Sequence, residues 1–443
     1  MLPVWLSDIR GALLAFLVTE LLAFFRCFGL SESPVLRCGL ALSCLAGLCC
    51  SISFYLHTCR AVFNRKPTLS FKAFWHHFMV TRPLEVVWRF LTAPFRVQPD
   101  FHILGETRTG TTSMAAHLRG LGCIGPFSPW IIPLASDKES FYFVGHYWGL
   151  VHPGAYRMCF PLKPTMWLYE LWYGERPPVF DACASHLNAP WAAPLIRAAS
   201  PEAALLVMLR PPAEQNASWW RLEQGAHAWA RGMGLEGDFL REGYPPRSFQ
   251  DALRLSQSEP VAELYRTGEL AAAKVLGASS TSIHGIRGLI AALRAPCLSE
   301  LLLPFPGGQL CAFEHMGRYA RNVARYAKLF GKERMVFAET QAELGKPGGA
   351  ALISARLSAL VPRLRRWQDR PISRSPDGRS LSAGGQSSDN GKTALRLNES
   401  QTLPPELEPT QEVLTQLRQH YRAANLELFE FLGRDLGWND ESK

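Results

Sequence analysis

Two apolar stretches open the chain. Gly11–Leu30 is apolar apart from Glu20 and Arg26, and Gly39–Thr58 runs twenty residues without a charge. The second is long enough to cross a bilayer as a helix. The first has two charges to accommodate and reads as an interfacial segment or as the first leg of a hairpin. Asp8 and Arg10 cancel ahead of it, so it lacks the basic start of a cleaved signal peptide. From Cys59 to Pro99 the chain is aromatic and basic, the pattern of a juxtamembrane helix or stem.

At Phe101 the pattern changes to short apolar runs alternating with helical stretches, which predicts an α/β domain with a parallel sheet. Phe101–Leu104, Ala204–Leu209 and Arg334–Ala338 read as its buried strands. Ser373–Thr393 is rich in Ser and Gly and nearly devoid of apolar residues, so it predicts a flexible loop. After it, Val413, Leu414, Leu417, Tyr421, Leu426, Leu428, Phe429 and Leu432 recur at helical spacing within Pro409–Leu436, and Gly433 supplies a stop. The division expected is a membrane anchor over 1–59, a stem over 60–99 and one domain over 100–443 with a flexible loop at 373–393.

Composition changes this picture little. Of 443 residues, 47 are Lys or Arg against 38 Asp or Glu, a formal charge of +9. The surplus suits an anionic partner without selecting a nucleotide, a sulfated glycan, a nucleic acid or a membrane surface. The eleven cysteines show no paired zinc spacing. Six lie in or beside the apolar N-terminal region, where cysteine behaves as a small hydrophobe. Cys297 and Cys311 close a short loop and would suit a disulfide in an oxidising compartment.

Chemistry concentrates in FHILGETRTGTTSMAAHL, residues 101–118. An apolar strand runs into Gly105, a turn follows through Gly110, and a helix starts near Thr111. Gly110 permits close approach of an anion to the backbone, and the amides of Thr111, Thr112 and Ser113 face it from a helix N-terminus. Thr109, Thr111, Thr112 and Ser113 add hydroxyls, and Arg108 adds a full charge. The spacing from Gly105 to Gly110 is that of a Walker A loop, but Thr111 stands where a kinase or ATPase needs Lys. The cation is displaced to Arg108. A second segment, LRPPAEQNASWW, places Arg210 directly after a buried strand and Ser218 eight residues on. A guanidinium there offers phosphate two parallel hydrogen bonds.

Both segments resemble those of the Golgi carbohydrate sulfotransferases, especially the heparan sulfate and chondroitin-type enzymes. Their loop reads Lys or Arg, one residue, Gly, Thr, then Thr or Ser, as Arg108–Ser113 does here. Asp137–Phe143 is similar to their Lys-Glu-x-x-Phe-Phe segment, Asp181–Leu187 to the Asp/Glu-x-Ser/Thr-Pro-x-Tyr segment beyond it, and HYRAANLELFEFLGRDLGW to their closing helix. The likeness spans roughly Phe101 to Trp438 in separate blocks. It implies a P-loop-like central parallel sheet flanked by helices and the donor 3′-phosphoadenosine 5′-phosphosulfate (PAPS). It implies a carbohydrate hydroxyl as acceptor, no metal, no nucleic-acid partner and a Golgi membrane protein with a lumenal domain.

The resemblance assigns Arg108, Thr109, Gly110, Thr111, Thr112 and Ser113 to the 5′-phosphosulfate, and Arg210 and Ser218 to the 3′-phosphate. Glu139 becomes the general base, with Arg108 stabilising the leaving group. Lys138 is expected to point away in an extended segment, and His146 and His152 are rival bases. Arg157, Lys163 and the run Trp167–Tyr173 are acceptor candidates, the aromatics reading first as core. Three departures stand out. Arg108 replaces the Lys of the heparan sulfate enzymes, Ala182 stands where those enzymes carry a lysine, and no basic cofactor-closing loop is evident beyond Arg379 and Lys392.

A nucleotide kinase would need Lys after Gly110 and an Asp at a strand end, and none of the three strands supplies one. A catalytically inactive scaffold would have shed Arg108, Arg210 or Glu139, and all three are present. Topology stays open. Arg60, Arg65, Lys66 and Lys72 follow the second apolar segment while Arg10, Arg26 and Arg37 precede it, a balance that favours a cytosolic domain over the lumenal one the resemblance implies. Asn398-Glu399-Ser400 is a glycosylation sequon beside the loose loop, and Asn216-Ala217-Ser218 lies inside the cofactor segment.

Overall fold

A computed structural model describes residues 88–127, 138–140, 142–143, 153–189, 192–232, 248–259, 262–263, 313–368 and 403–439. The anchor, the rival bases His146 and His152, the loop at 373–393 with Arg379 and Lys392, the Asn398 sequon, Cys297 and Cys311 all lie outside them. Among the described residues, no helix is long and apolar enough to cross a membrane. The chain divides into two units. One comprises Met1–Gln98, Ile131–Ala135 and Ala155–Pro177; the other comprises Pro99–Trp130, Ser136–Gly154 and Pro178–Lys443.

The larger unit is built on four parallel strands, β1 (Phe101–Gly105), β2 (Phe180–Asp181), β3 (Ala204–Leu209) and β4 (Met335–Glu339), in the order β2-β1-β3-β4. β1 and β3 are buried at every position, as strands covered on both faces must be. Around them lie α1 (Thr111–Gly120), α2 (Ala192–Ala199), α3 (Pro212–Gly232), α4 (Phe249–Ser256), α5 (Phe313–Gly317), α6 (Tyr319–Phe330), α7 (Gly349–Leu360), α8 (Pro362–Gln368) and α9 (Gln411–Leu432).

Alternation along the strands sends Phe101, Ile103, Leu206, Met208 and Ala338 to one face, where Met114, Leu118, Ile353, Leu357 and Leu364 from α1, α7 and α8 cover them. A second core joins α3, α5 and α9 through Trp219, Trp220, Phe313, Met316, Leu417 and Tyr421. Within it Asn216 donates to the Tyr421 hydroxyl at 3.0 Å, and that hydroxyl donates to the Phe313 carbonyl at 3.0 Å. Asn216 is fully buried, which closes that sequon to a glycan.

The three strands expected from sequence are present, shifted by at most one residue. β2 is the addition, and it ends in Asp181. The strand-end carboxylate missing from the sequence reading therefore exists, but both its oxygens are held by Ser140. The expected terminal helix is α9, capped by the Thr410 side chain and ended by Gly433 at φ 73°.

In the smaller unit, Arg96 is buried. It donates to the Phe160 carbonyl at 2.7 Å and pairs with Leu162 through an isolated bridge. Lys163 donates to the Pro94 carbonyl at 3.4 Å. The Lys163–Tyr173 helix corrects the core reading of its aromatics, because Trp167, Leu171, Trp172 and Tyr173 are 58–68% exposed.

Candidate active site

The strand order puts a switch point between β1 and β3. From β1 the chain passes to one side to build β2, then returns across β1 to build β3. In open parallel sheets, ligands bind beyond the C-terminal ends of the strands at this place. The turn after β1 carries Arg108, and Arg210 directly follows β3.

The turn after β1 is tightly built. Thr109 donates through its amide (3.1 Å) and its hydroxyl (2.7 Å) to the Glu106 carbonyl. Among the described residues, Arg108 alone combines a side chain with a positive φ, 75°. That left-handed backbone costs an L-residue about 1 kcal/mol. Gly110, at φ 83°, turns the chain into α1 as its N-cap. The first-turn amides of a helix lack intrahelical acceptors and carry its positive dipole end; here they belong to Thr111, Thr112 and Ser113. Thr109, Thr111 and Ser113 are buried and Thr112 is half-buried.

Contacts reaching across more than a hundred residues hold this turn. The Arg108 Nε donates to Ser218 Oγ at 3.0 Å, and Arg210 Nη1 donates to the Arg108 carbonyl at 2.9 Å. Gln215, on the same α3 helix as Ser218, donates to the Thr107 carbonyl at 2.6 Å. The hydroxyl of Thr340 stands 2.5 Å from the Thr109 carbonyl and 2.9 Å from that of Leu209, sharing its one proton between them. Sequence reading found Arg108, Arg210 and Ser218 but not Gln215 or Thr340. Thr340 directly follows β4 and Gln215 lies in the first turns of the helix after β3, positions too common to single them out.

Charge explains what this cluster is suited to hold. Arg108 and Arg210 are both pulled below the ordinary arginine range, first by burial. Arg108 is lowered further by Arg210, whereas Glu214 and Glu339 partly offset the loss at Arg210. Two half-buried guanidiniums beside a helix N-terminus have lost hydration, and an anion between them would restore the balance. Glu106, at the end of β1, is fully buried. Desolvation raises its carboxyl well above the usual range, only partly countered by Arg325 and Asn322 of α6.

Glu139 lies past the end of β2, at the same edge of the sheet. The Ala182 amide donates to the Lys138 carbonyl at 2.8 Å. Ser140 donates twice to Asp181, from its amide to Oδ1 (3.1 Å) and from its hydroxyl to Oδ2 (2.5 Å). Glu139 Oε1 accepts from the Ala184 amide at 3.2 Å and pairs with the Lys138 ammonium. This corrects the expectation that Lys138 points away. Lys138 sits in a turn rather than an extended strand, and it also donates to the Ala182 carbonyl at 3.3 Å. Asp181 and Ser140 thus hold the segment that carries Glu139, a contact the sequence did not reveal. Arg157, Lys163 and Trp167–Tyr173 belong to the smaller unit.

No family model matches the chain, and no curated protein matches it. Among solved structures it is similar to a sulfotransferase from Alicyclobacillus acidocaldarius, at 17% identity and a TM-score of 0.36, over 77% of this chain and 99% of that one.

Proposed function

We propose that this chain is a PAPS-dependent sulfotransferase that transfers a sulfuryl group to a carbohydrate hydroxyl. The observation carrying the proposal is the meeting of Arg108, Arg210 and Ser218 with the N-terminus of α1 at the switch point. A Walker-type ATP site would place Lys, not Thr111, at the first helical position. With its cation displaced to Arg108 and a second cation at Arg210, the site suits a nucleotide bearing anions at both ends.

In this reading the amides of Thr111–Ser113 and the Arg108 guanidinium hold the 5′-phosphosulfate, while Arg210 and Ser218 take the 3′-phosphate. Arg108, already bonded to Ser218, stands between the two subsites. Sulfuryl transfer follows the logic of phosphoryl transfer: in-line attack, with charge on the equatorial oxygens and the leaving phosphate. The acceptor oxygen bonds to sulfur as the sulfur–oxygen bond to the 5′-phosphate breaks. The acceptor proton goes to Glu139, and 3′-phosphoadenosine 5′-phosphate (PAP) leaves. Both described contacts of Glu139 fall on Oε1, so Oε2 is the atom that takes the proton. Lys138 reaches the carbonyl of Ala182, the position where the heparan sulfate enzymes carry lysine, so it supplies a cation to that neighbourhood from another place in the chain.

Gly39–Thr58 anchors the protein in the Golgi membrane in this proposal, with the domain lumenal. Incubation of the full chain with labelled PAPS and a panel of glycans, steroids and peptides tests it. Label transferred to a glycan, abolished by Glu139→Gln with PAP binding kept, supports the reading. Failure to bind PAP and to transfer to any acceptor rejects it.

A further inference from the structure

The face of the sheet opposite α1 and α7 carries polar groups where an apolar layer is expected. His102 of β1 and Asp181 of β2 are register partners, so their side chains leave the sheet side by side. The turn after β2 then brings His186 back to them. One ligand atom from each residue (an imidazole nitrogen, a carboxylate oxygen and a second imidazole nitrogen) lies within 4.8 Å of the other two. All three residues are 0% exposed.

His186 is fixed from two directions: the Phe143 ring lies 5.7 Å away, and the Tyr326 hydroxyl donates to its carbonyl at 2.6 Å. Yet neither of its ring nitrogens has a hydrogen-bond partner among the described residues. Buried polar side-chain atoms nearly always have one. The imidazole thus sits beside one ligand atom each of His102 and Asp181, with no hydrogen-bond partner for its ring nitrogens among the described residues.

We propose that His102, Asp181 and His186 bind one divalent transition-metal ion of the zinc class at a structural site. Two imidazoles and a carboxylate are the donor set such ions take. Bonds of about 2.0–2.1 Å in a tetrahedron put ligand atoms about 3.4 Å apart, so side-chain movements of about 1 Å close the cluster on the ion. Water or a backbone carbonyl completes the shell. Full burial means that the ion enters as the chain folds, and its binding energy then becomes folding energy. Ser140 bonds both Asp181 oxygens, from its amide to Oδ1 and from its hydroxyl to Oδ2. Ser140 thus orients the ligating carboxylate, and the ion in turn fixes the corner that carries Lys138 and Glu139. The site is separate from the anion cluster, so its test does not depend on PAPS chemistry.

The full chain, purified without chelator, should carry one ion by elemental analysis. After stripping, Zn²⁺ should raise the melting temperature by about 5 °C or more, and Co²⁺ should give the visible absorption of a tetrahedral site. His102→Ala and His186→Ala should each lose the ion, while His420→Ala, remote in sequence and paired with Glu314, keeps it. Wild-type measurements decide the matter even if the variants misfold. A wild-type chain that holds no stoichiometric metal and is not stabilised by Zn²⁺ overturns the proposal. So does a folded His186→Ala chain with undiminished metal content.

Discussion

Replacing Arg210 by Met separates binding from stability in a way that few other substitutions here would. Among the described residues, the Arg210 side chain donates a hydrogen bond, at 2.9 Å, to the carbonyl of Arg108, the residue held at φ 75°. Losing that bond costs about 1 kcal/mol of stability. Set against it, the variant removes a guanidinium that burial already disfavours and that depresses its neighbour Arg108. Methionine keeps the stem's packing, so the two effects nearly cancel and the melting temperature moves by no more than about 4 °C.

Binding should behave differently, because the proposed function gives Arg210 a charge-assisted contact to phosphate that the variant lacks. At about 2–4 kcal/mol for such a contact, PAP affinity falls by roughly 30- to 1000-fold. Arg210→Lys keeps a point charge but loses the planar fork, so it falls between the two. Calorimetric titration with PAP, alongside thermal unfolding of the same samples, reads both quantities. A folded Arg210→Met chain that binds PAP within threefold of wild type would refute the reasoning, as would a variant whose weaker binding merely follows collapse of the fold.

Three more outcomes follow from particular contacts. Gly110→Ala places a Cβ 2.8 Å from Leu344 and 3.0 Å from Thr340 at a φ of +83°, so it should cost about 2 kcal/mol and weaken PAP binding, read by urea unfolding and titration. Glu106→Gln should make stability less dependent on pH. The folded carboxyl titrates above its unfolded value, so the folded state retains a proton that the unfolded state has lost. Wild-type stability therefore falls as pH rises above about 4.5 and through the folded value, and the variant escapes that fall in urea midpoints compared at pH 5 and pH 8. Ser140→Ala removes the hydroxyl's bond to Asp181 and the one it accepts from the Tyr142 amide, while leaving the Ser140 amide bond to Asp181. It should lower kcat by about tenfold with PAP affinity unchanged, because the corner that positions Glu139 is disturbed and the anion cluster is not; an equal loss in PAP affinity would argue against that role.

Much of the larger unit was legible in the chain because its signals are local. Ala204–Leu209 is six consecutive apolar residues, and the step from Gly110 into a helix is carried by adjacent residues. Arg210 and Ser218 were singled out by the resemblance to the sulfotransferase segments, since an Arg after a strand is unremarkable by itself, and the structure brings both to Arg108. β2 was missed because two residues make no periodic pattern, and only pairing with Phe101 and His102 defines it. The latches from Gln215 and Thr340 join residues 108 and 231 positions apart, which no local pattern encodes. Lys138 was misdirected because an extended backbone was assumed where the chain turns. The cluster of His102, Asp181 and His186 escaped notice because its members come from two strands and a turn that only the sheet brings together.

The central claim is that the cluster at the switch point holds a nucleotide with phosphates at both ends. Its most direct test is calorimetric titration of the full chain with PAP and, separately, with adenosine 5′-monophosphate, which lacks the 3′-phosphate that the proposal assigns to Arg210 and Ser218. The account predicts one PAP site per chain and an affinity for the monophosphate weaker by about 2 kcal/mol or more, roughly 30-fold. Equal affinities, or no binding of PAP, would contradict it.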